Sequence, residues 1–186
     1  MKKNIIVLLS IFLYCGCSGF STPFDKATLA NFSGKKTYAW LTSVVPSDDI
    51  RVNNPTIQGL VQSAVEEELA KKGYVMTAAE DADFLMAWFG SIDEVVKEVH
   101  ISAFYRPYGY GTLVGSKPDS VDGDMATRVY KTGTLILDII DPRTKSVFWR
   151  ESAVNAITKK MSNPELSNYI DRSVEKLLER VPAADQ

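Results

Sequence analysis

The sequence predicts one domain of mixed helix and strand, with two amphipathic helices and about five strands. Three observations carry that expectation. Residues 55–72 and 164–181 each follow an Asn residue, begin on Pro, and repeat apolar residues at helical spacing. The segment between them holds short runs rich in β-branched and aromatic residues. Two of those runs are joined by DPRTK at 141–145, a turn signal that reads as a hairpin.

The chain opens on a short positive segment, MKKN, followed by the apolar stretch IIVLLSIFLY at 5–14. A membrane-spanning helix takes roughly 20 apolar residues, so this stretch has the length of a signal-peptide core and not of a permanent anchor. Both cysteines of the chain follow, Cys15 and Cys17. The stretch YCGC resembles the lipobox of bacterial lipoproteins, in which a peptidase cuts before a cysteine that carries lipid. Small Gly16 precedes Cys17, whereas bulky Tyr14 precedes Cys15, so Cys17 is the expected lipidation site. Tyr14 and Cys15 depart from the Leu and the Ala or Ser usual at their places. Residues 1–16 then form the signal peptide, 17–23 the lipidated N-terminus and tether, and 24–182 the domain. The resemblance implies diacylglycerol on the sulfur and a third chain on the new N-terminus. Two chains already anchor a protein stably. Ser18 favours an outer-membrane, periplasm-facing location by analogy with enterobacterial sorting. The alternative is ordinary cleavage and a soluble periplasmic protein.

The elements follow in order. Residues 36–41 (KTYAWL) read as a strand. Asn54 and Pro55 open the first helix; Ile57, Leu60, Val61, Ala64, Val65 and Leu69 make its apolar stripe, and Gly73 ends it. Residues 82–89 (ADFLMAWF) are apolar on both alternating faces, as in a central strand covered on both sides. Residues 91–100 (SIDEVVKEVH) fit two patterns: Ser91 and Glu94 have capping-box spacing, while three valines favour a strand. Residues 127–140 and 147–157 read as the two arms of the hairpin. With Asp141 paired to Val147, Leu135, Leu137, Ile139 and Trp149 share one face, and Asp138 lies opposite Arg150 on the other as a candidate ion pair. Asn163 and Pro164 open the second helix, whose stripe is Leu166, Tyr169, Ile170, Val174, Leu177, Leu178 and Val181.

Composition excludes several function classes. Loss of Lys2 and Lys3 with the signal peptide leaves 19 basic against 23 acidic side chains, a net charge near −4. That balance argues against nucleic acid and against an electrostatic grip on anionic lipid. Cys15 leaves with the signal peptide, so no free thiol, disulfide or thiolate metal site is expected. No P-loop, G-x-G-x-x-G, H-E-x-x-H, G-x-S-x-G or C-x-x-C motif is present, and no cofactor is expected.

Taken together, several residues resemble the bacterial lipoproteins of the domain-of-unknown-function 4136 family. They are Asp25, Phe32, the run Thr37, Tyr38, Ala39 and Trp40, then Lys72, Gly73, Tyr74, and Ala82, Asp83, Phe84, Leu85. Gly133, Thr134, Leu135, Asp138, Asp141, Trp149, Arg150 and Ala153 complete the series, in the family's order. The resemblance implies an α+β domain with helices packed on a mostly antiparallel sheet, and it tips 91–100 towards strand. Glu151 and Val181 stand where the family favours Gly and Phe. The family carries no established activity, so the resemblance supplies no reaction.

Two function classes remain. One is a lipid-anchored, non-catalytic binding or accessory module whose partner is an envelope protein or a glycan. Its candidate contact loop is FYRPYGYG at 104–111, where Tyr105, Tyr108 and Tyr110 offer stacking faces and Arg106 can hold an acid group. The bland reading of the same stretch is a long connection with its tyrosines lying back on the sheet. The other class is an envelope hydrolase, which needs His100, the only histidine, beside a carboxylate and a nucleophile. Asp119, Asp122 and Asp124 lack the ligand spacing of a calcium loop and read as a solvated turn. Asp138 and Asp141, three apart on a strand, point to opposite faces and make no carboxylate pair.

Overall fold

Local chemistry sets the first helices and strands of the computed structural model, which describes residues 26–41, 55–90, 96–110, 129–130, 133–154 and 161–184. Helix α1 (Lys26–Phe32) leads into strand β1 (Thr37–Trp40), and helix α2 (Pro55–Lys71) leads into the short strand β2 (Val75–Met76). Gly73, at φ 85°, reverses the chain after α2. The Tyr74 N–H bonds the Leu69 carbonyl and the Gly73 N–H that of Ala70, both at 3.0 Å, which closes a Schellman cap. Asn54, expected to cap α2, lies outside the described residues.

Strand β3 (Phe84–Gly90) is buried along its whole length, as its doubly apolar pattern requires. After it come strand β4 (Val96–Lys97), helix α3 (Glu98–Tyr105), strand β5 (Val129–Tyr130), strand β6 (Leu135–Asp141), strand β7 (Ser146–Ala153) and helix α4 (Asn163–Leu178). Five strands form one sheet in the order β2-β1-β3-β6-β7, and β4 pairs with β5 separately.

The sheet is mixed, which corrects the expectation of a mostly antiparallel one. β1 runs parallel to both β2 and β3, whereas β3, β6 and β7 pair antiparallel. The cause is connectivity. α2 carries the chain back to the starting end of β1, as a parallel neighbour demands. The chain then passes the beginning of β1 through a single 3₁₀ turn (Ala79–Asp81) and enters β3 on its other side, so that Tyr38 pairs with both Met76 and Phe84.

The two faces of the sheet carry separate cores. Alternate residues Phe84, Met86 and Trp88 of β3, with Tyr38, Leu137, Ile139 and Trp149, meet Val61, Val65 and Leu69 of α2 and Ile170, Val174 and Leu177 of α4. The intervening Leu85, Ala87 and Phe89, with Ile136, Ile140 and Val147, pack under Ile101, Phe104 and Tyr105 of α3. Both expected helix stripes therefore face the sheet.

Four further differences from the sequence reading have physical causes. Of residues 91–100, Val96 and Lys97 are strand and Glu98 begins a helix, while 91–95 lie outside the described residues. The helix continues to Tyr105 because Ile101, Phe104 and Tyr105 form an i, i+3, i+4 face over the sheet, and that burial outweighs the β preference of the valines. The long strand expected at 127–140 is broken at Gly133 (φ 75°): β5 joins β4, and only Leu135–Asp141 enters the main sheet. Asp141 pairs with Ser146, not Val147. A bulge between Ile139 and Ile140 absorbs Phe148 and restores the expected register, placing Asp138 opposite Arg150. Finally, α4 is capped by Ser162: the Glu165 carboxylate accepts its backbone N–H at 2.9 Å and its hydroxyl at 2.7 Å. β7 ends at Ala153, and residues 155–157 of the expected strand lie outside the described residues.

Candidate functional site

Period-2 alternation turns Asp138 and Arg150 away from the α2/α4 core and under α3. There they form a bidentate pair, both side chains at most 2 % exposed. Arg150 donates from Nε to Oδ1 and from Nη2 to Oδ2, each at 2.6 Å. The Tyr105 hydroxyl donates to Oδ2 at 2.7 Å. The carboxylate thus accepts three hydrogen bonds, and the expected ion pair is present in a buried, planar fork.

A second network ties the start of β1 to the hairpin. The Asp83 carboxylate accepts the Lys36 N–H at 2.9 Å, the Thr37 N–H at 3.0 Å and the Thr37 hydroxyl at 2.9 Å. The Lys36 N–H, joined by the Thr37 donors and the Lys35 charge, holds Asp83 below its ordinary pKa against the opposing effect of burial. Lys35 donates to the Asp83 carbonyl at 2.7 Å, reaches Asp141 Oδ2 at 3.4 Å, and lies over the Phe148 ring at 5.8 Å. Burial pushes the Asp141 carboxyl up, but the Arg143 N–H, the Lys35 ammonium and the Thr144 N–H outweigh it and leave the pKa lowered. Asp138 and Asp141 therefore serve different partners, as their spacing predicts.

These networks take up half of the charged or hydroxylated residues on which the family resemblance rests. Thr37, Asp83, Asp138, Asp141 and Arg150 hold strands together. Of the described residues, no group of three or more His, Cys, Asp or Glu side chains is arranged to hold a metal ion.

The stretch 104–110 is not a hairpin loop. Phe104 and Tyr105 end α3, Arg106–Tyr108 forms a 3₁₀ turn, and Gly109, at φ 67°, stops it in the left-handed region that favours glycine. Tyr105 is fully buried, which removes it from the candidate contact residues. It instead roots a cluster of rings. Phe89 meets Phe104 at 5.2 Å and Tyr105 at 5.7 Å, Phe104 meets Tyr108 at 5.9 Å, Tyr105 meets Tyr110 at 6.5 Å, and Tyr108 meets Tyr110 at 6.2 Å. Tyr108 and Tyr110 emerge half-buried, and Arg106 is exposed. Burial raises the pKa of Tyr110. Lys145 Nζ lies 3.9 Å from where a Cβ on Gly109 would stand, so the hairpin turn places a cation beside this aromatic pole.

Other expected sites resolve differently. His100 falls within α3, not on a strand, and its side chain lies outside the described residues, as do Cys17, Asp119, Asp122 and Asp124. A groove of about 550 Å³ between α2 and α4 went unread in the sequence. It is lined by Glu68, Lys72, Arg172, Glu175, Lys176 and Glu179, three cations facing three carboxylates. No helix among the described residues is long and apolar enough to cross a membrane.

Known proteins resemble this chain to different degrees. A DUF4136 family protein from Bacteroides thetaiotaomicron VPI-5482 has a crystal structure that superposes with a TM-score of 0.50 at 13% identity, covering 89% of this chain and 96% of that one. A PDZ domain protein from Parabacteroides distasonis ATCC 8503 gives 0.44 at 18% identity over 80% of this chain and 32% of its own. The PelC dodecamer from Paraburkholderia phytofirmans gives 0.42 at 13% identity over 89% and 95%. At 13% identity the first of these likenesses concerns the fold alone. No curated protein matches the sequence. The family model described as "Domain of unknown function (DUF4136)" matches residues 20–183, nearly the whole segment after the N-terminal apolar stretch, and the chain belongs to that family.

Proposed function

We propose that the protein is a lipid-anchored component of the cell envelope that acts as a non-catalytic binding or accessory module. Cys17 attaches it to the outer membrane, and the domain faces the periplasm. The lipobox-like YCGC stretch supports the attachment. Helix α1 begins at Lys26, nine residues after Cys17. At about 3.5 Å per residue the intervening chain reaches at most about 30 Å, so the domain works close to the bilayer.

The aromatic pole is the observation that carries the binding role. Tyr108 and Tyr110 are held by rings beneath them, so little side-chain freedom is lost when a partner stacks on them. The buried Asp138, Arg150 and Lys35, by contrast, are engaged in holding strands. A photo-crosslinking residue placed at 108 in intact cells tests the reading, with exposed Gln58 on α2 as the control position. Adducts at 108 and none at 58 are expected. Absence of adducts at 108 and 110 alike contradicts a binding role for this surface.

A further inference from the structure

We infer that the aromatic pole takes a glycan whose pyranose rings carry acid groups, a ligand class that rests on the binding role proposed above. Two half-buried tyrosine rings, 6.2 Å apart and tilted by 43°, form an angled shelf. The C–H face of a sugar ring stacks on such a surface, and phenol hydroxyls at its rim satisfy sugar hydroxyls. The ring cluster fixes the shelf before the ligand arrives, so binding loses little entropy.

Charge points the same way. Arg143 and Arg150, Lys35, Lys71 and Lys176 lie against carboxylates, whereas Lys72 and Arg172 donate to backbone carbonyls. Exposed Arg106 shares the 3₁₀ turn with Tyr108, Lys145 Nζ lies beside Gly109, and neither side chain forms an ion pair among the described residues. The chain as a whole is acidic, with a formal net charge of −2. What sets this pole apart is two cations beside two stacking rings in an acidic chain, and a carboxylate on a sugar ring completes both halves. Arginine offers a planar fork to such a carboxylate, and lysine a point charge. A neutral glycan leaves the cations unanswered, and a flexible acidic peptide leaves the rings bare.

The test uses the full-length protein extracted in detergent and immobilised polygalacturonate as the probe, with neutral dextran and polyglutamate as comparators. Retention on polygalacturonate at least tenfold stronger than on either comparator is expected. Tyr108→Ala should weaken it at least fivefold. Arg106→Gln combined with Lys145→Gln should weaken it at least tenfold and remove most of its salt dependence. Tyr110 packs on Tyr105, so thermal unfolding accompanies Tyr110→Ala, whereas Arg106 is exposed and its replacement leaves the fold intact. Equal retention on polyglutamate overturns the stacking half, equal retention on dextran overturns the acid half, and no retention overturns the inference. If crosslinks at 108 persist in cells while polygalacturonate is not retained, the binding role stands and the ligand class falls.

Discussion

Replacing Arg150 with Met tests the buried pair at the centre of the sheet. Asp138 is fully buried and accepts three donors, two of them from Arg150. Arg150→Met leaves a desolvated carboxylate with only the Tyr105 hydroxyl among the donors of this triad. Breaking one side of a buried ion pair costs about 3–5 kcal/mol. Asp138→Leu removes the carboxylate that Arg150 grips at two points and belongs in the same range. The double replacement removes both charges and leaves the Tyr105 hydroxyl without its carboxylate, at about 1–3 kcal/mol. The two single losses together reach about 6–10 kcal/mol, so the double variant should recover at least about 3 kcal/mol of that total. Domains of this kind have about 5–15 kcal/mol in all, so each single variant should show a large fall in the urea midpoint. Tryptophan fluorescence reads it directly, since Trp149 neighbours Arg150 in β7 and is fully buried. A loss below about 1 kcal/mol for Asp138→Leu, or strict additivity in the double variant, would refute the reasoning.

Two further outcomes follow from other polar groups. The Tyr74 hydroxyl is buried and has no hydrogen-bond partner among the described residues, and burial pushes its pKa up to about 12. Tyr74→Phe keeps the edge-on contact with Phe84 and should raise stability by about 1 kcal/mol; a loss of that size in urea unfolding contradicts it. Asp83 and Asp141 have folded pKa values below their ordinary 3.8, so the stability they contribute is present above about pH 4 and drains as pH falls through the lowered values. Asp83→Asn should therefore be less stable than the wild type at pH 7 and lose less on acidification below about pH 4. Parallel stability curves for the two proteins would contradict that.

Legibility in the sequence followed the range of the interactions. Helices α2 and α4 were readable because their stripes and Pro starts are local, and β3 because both its faces are apolar. Asp138 and Arg150 could be matched because a turn signal and alternation set the register; the bulge at Phe148 shifted only the residues nearest the turn. The parallel pairing of β1 was not readable, because it depends on where α2 returns the chain and not on any residue of β1. Helix α3 was obscured by the valines at 95, 96 and 99, although Ile101, Phe104 and Tyr105 carried its helical spacing. That same spacing was the signal that Tyr105 points inward while Tyr108 and Tyr110 lie at the edge. The Ser162 and Glu165 capping box was also present in the sequence, hidden by the more conspicuous Asn163 and Pro164.

The proposed role depends on a covalently lipidated Cys17 that holds this domain beside the outer membrane. Growth with labelled palmitate measures that directly. The wild-type protein should carry label and sediment with outer-membrane vesicles, and Cys17→Ser should carry none and be released by washing. An unlabelled wild-type chain, or a Cys17→Ser chain that remains equally membrane-bound, would contradict it.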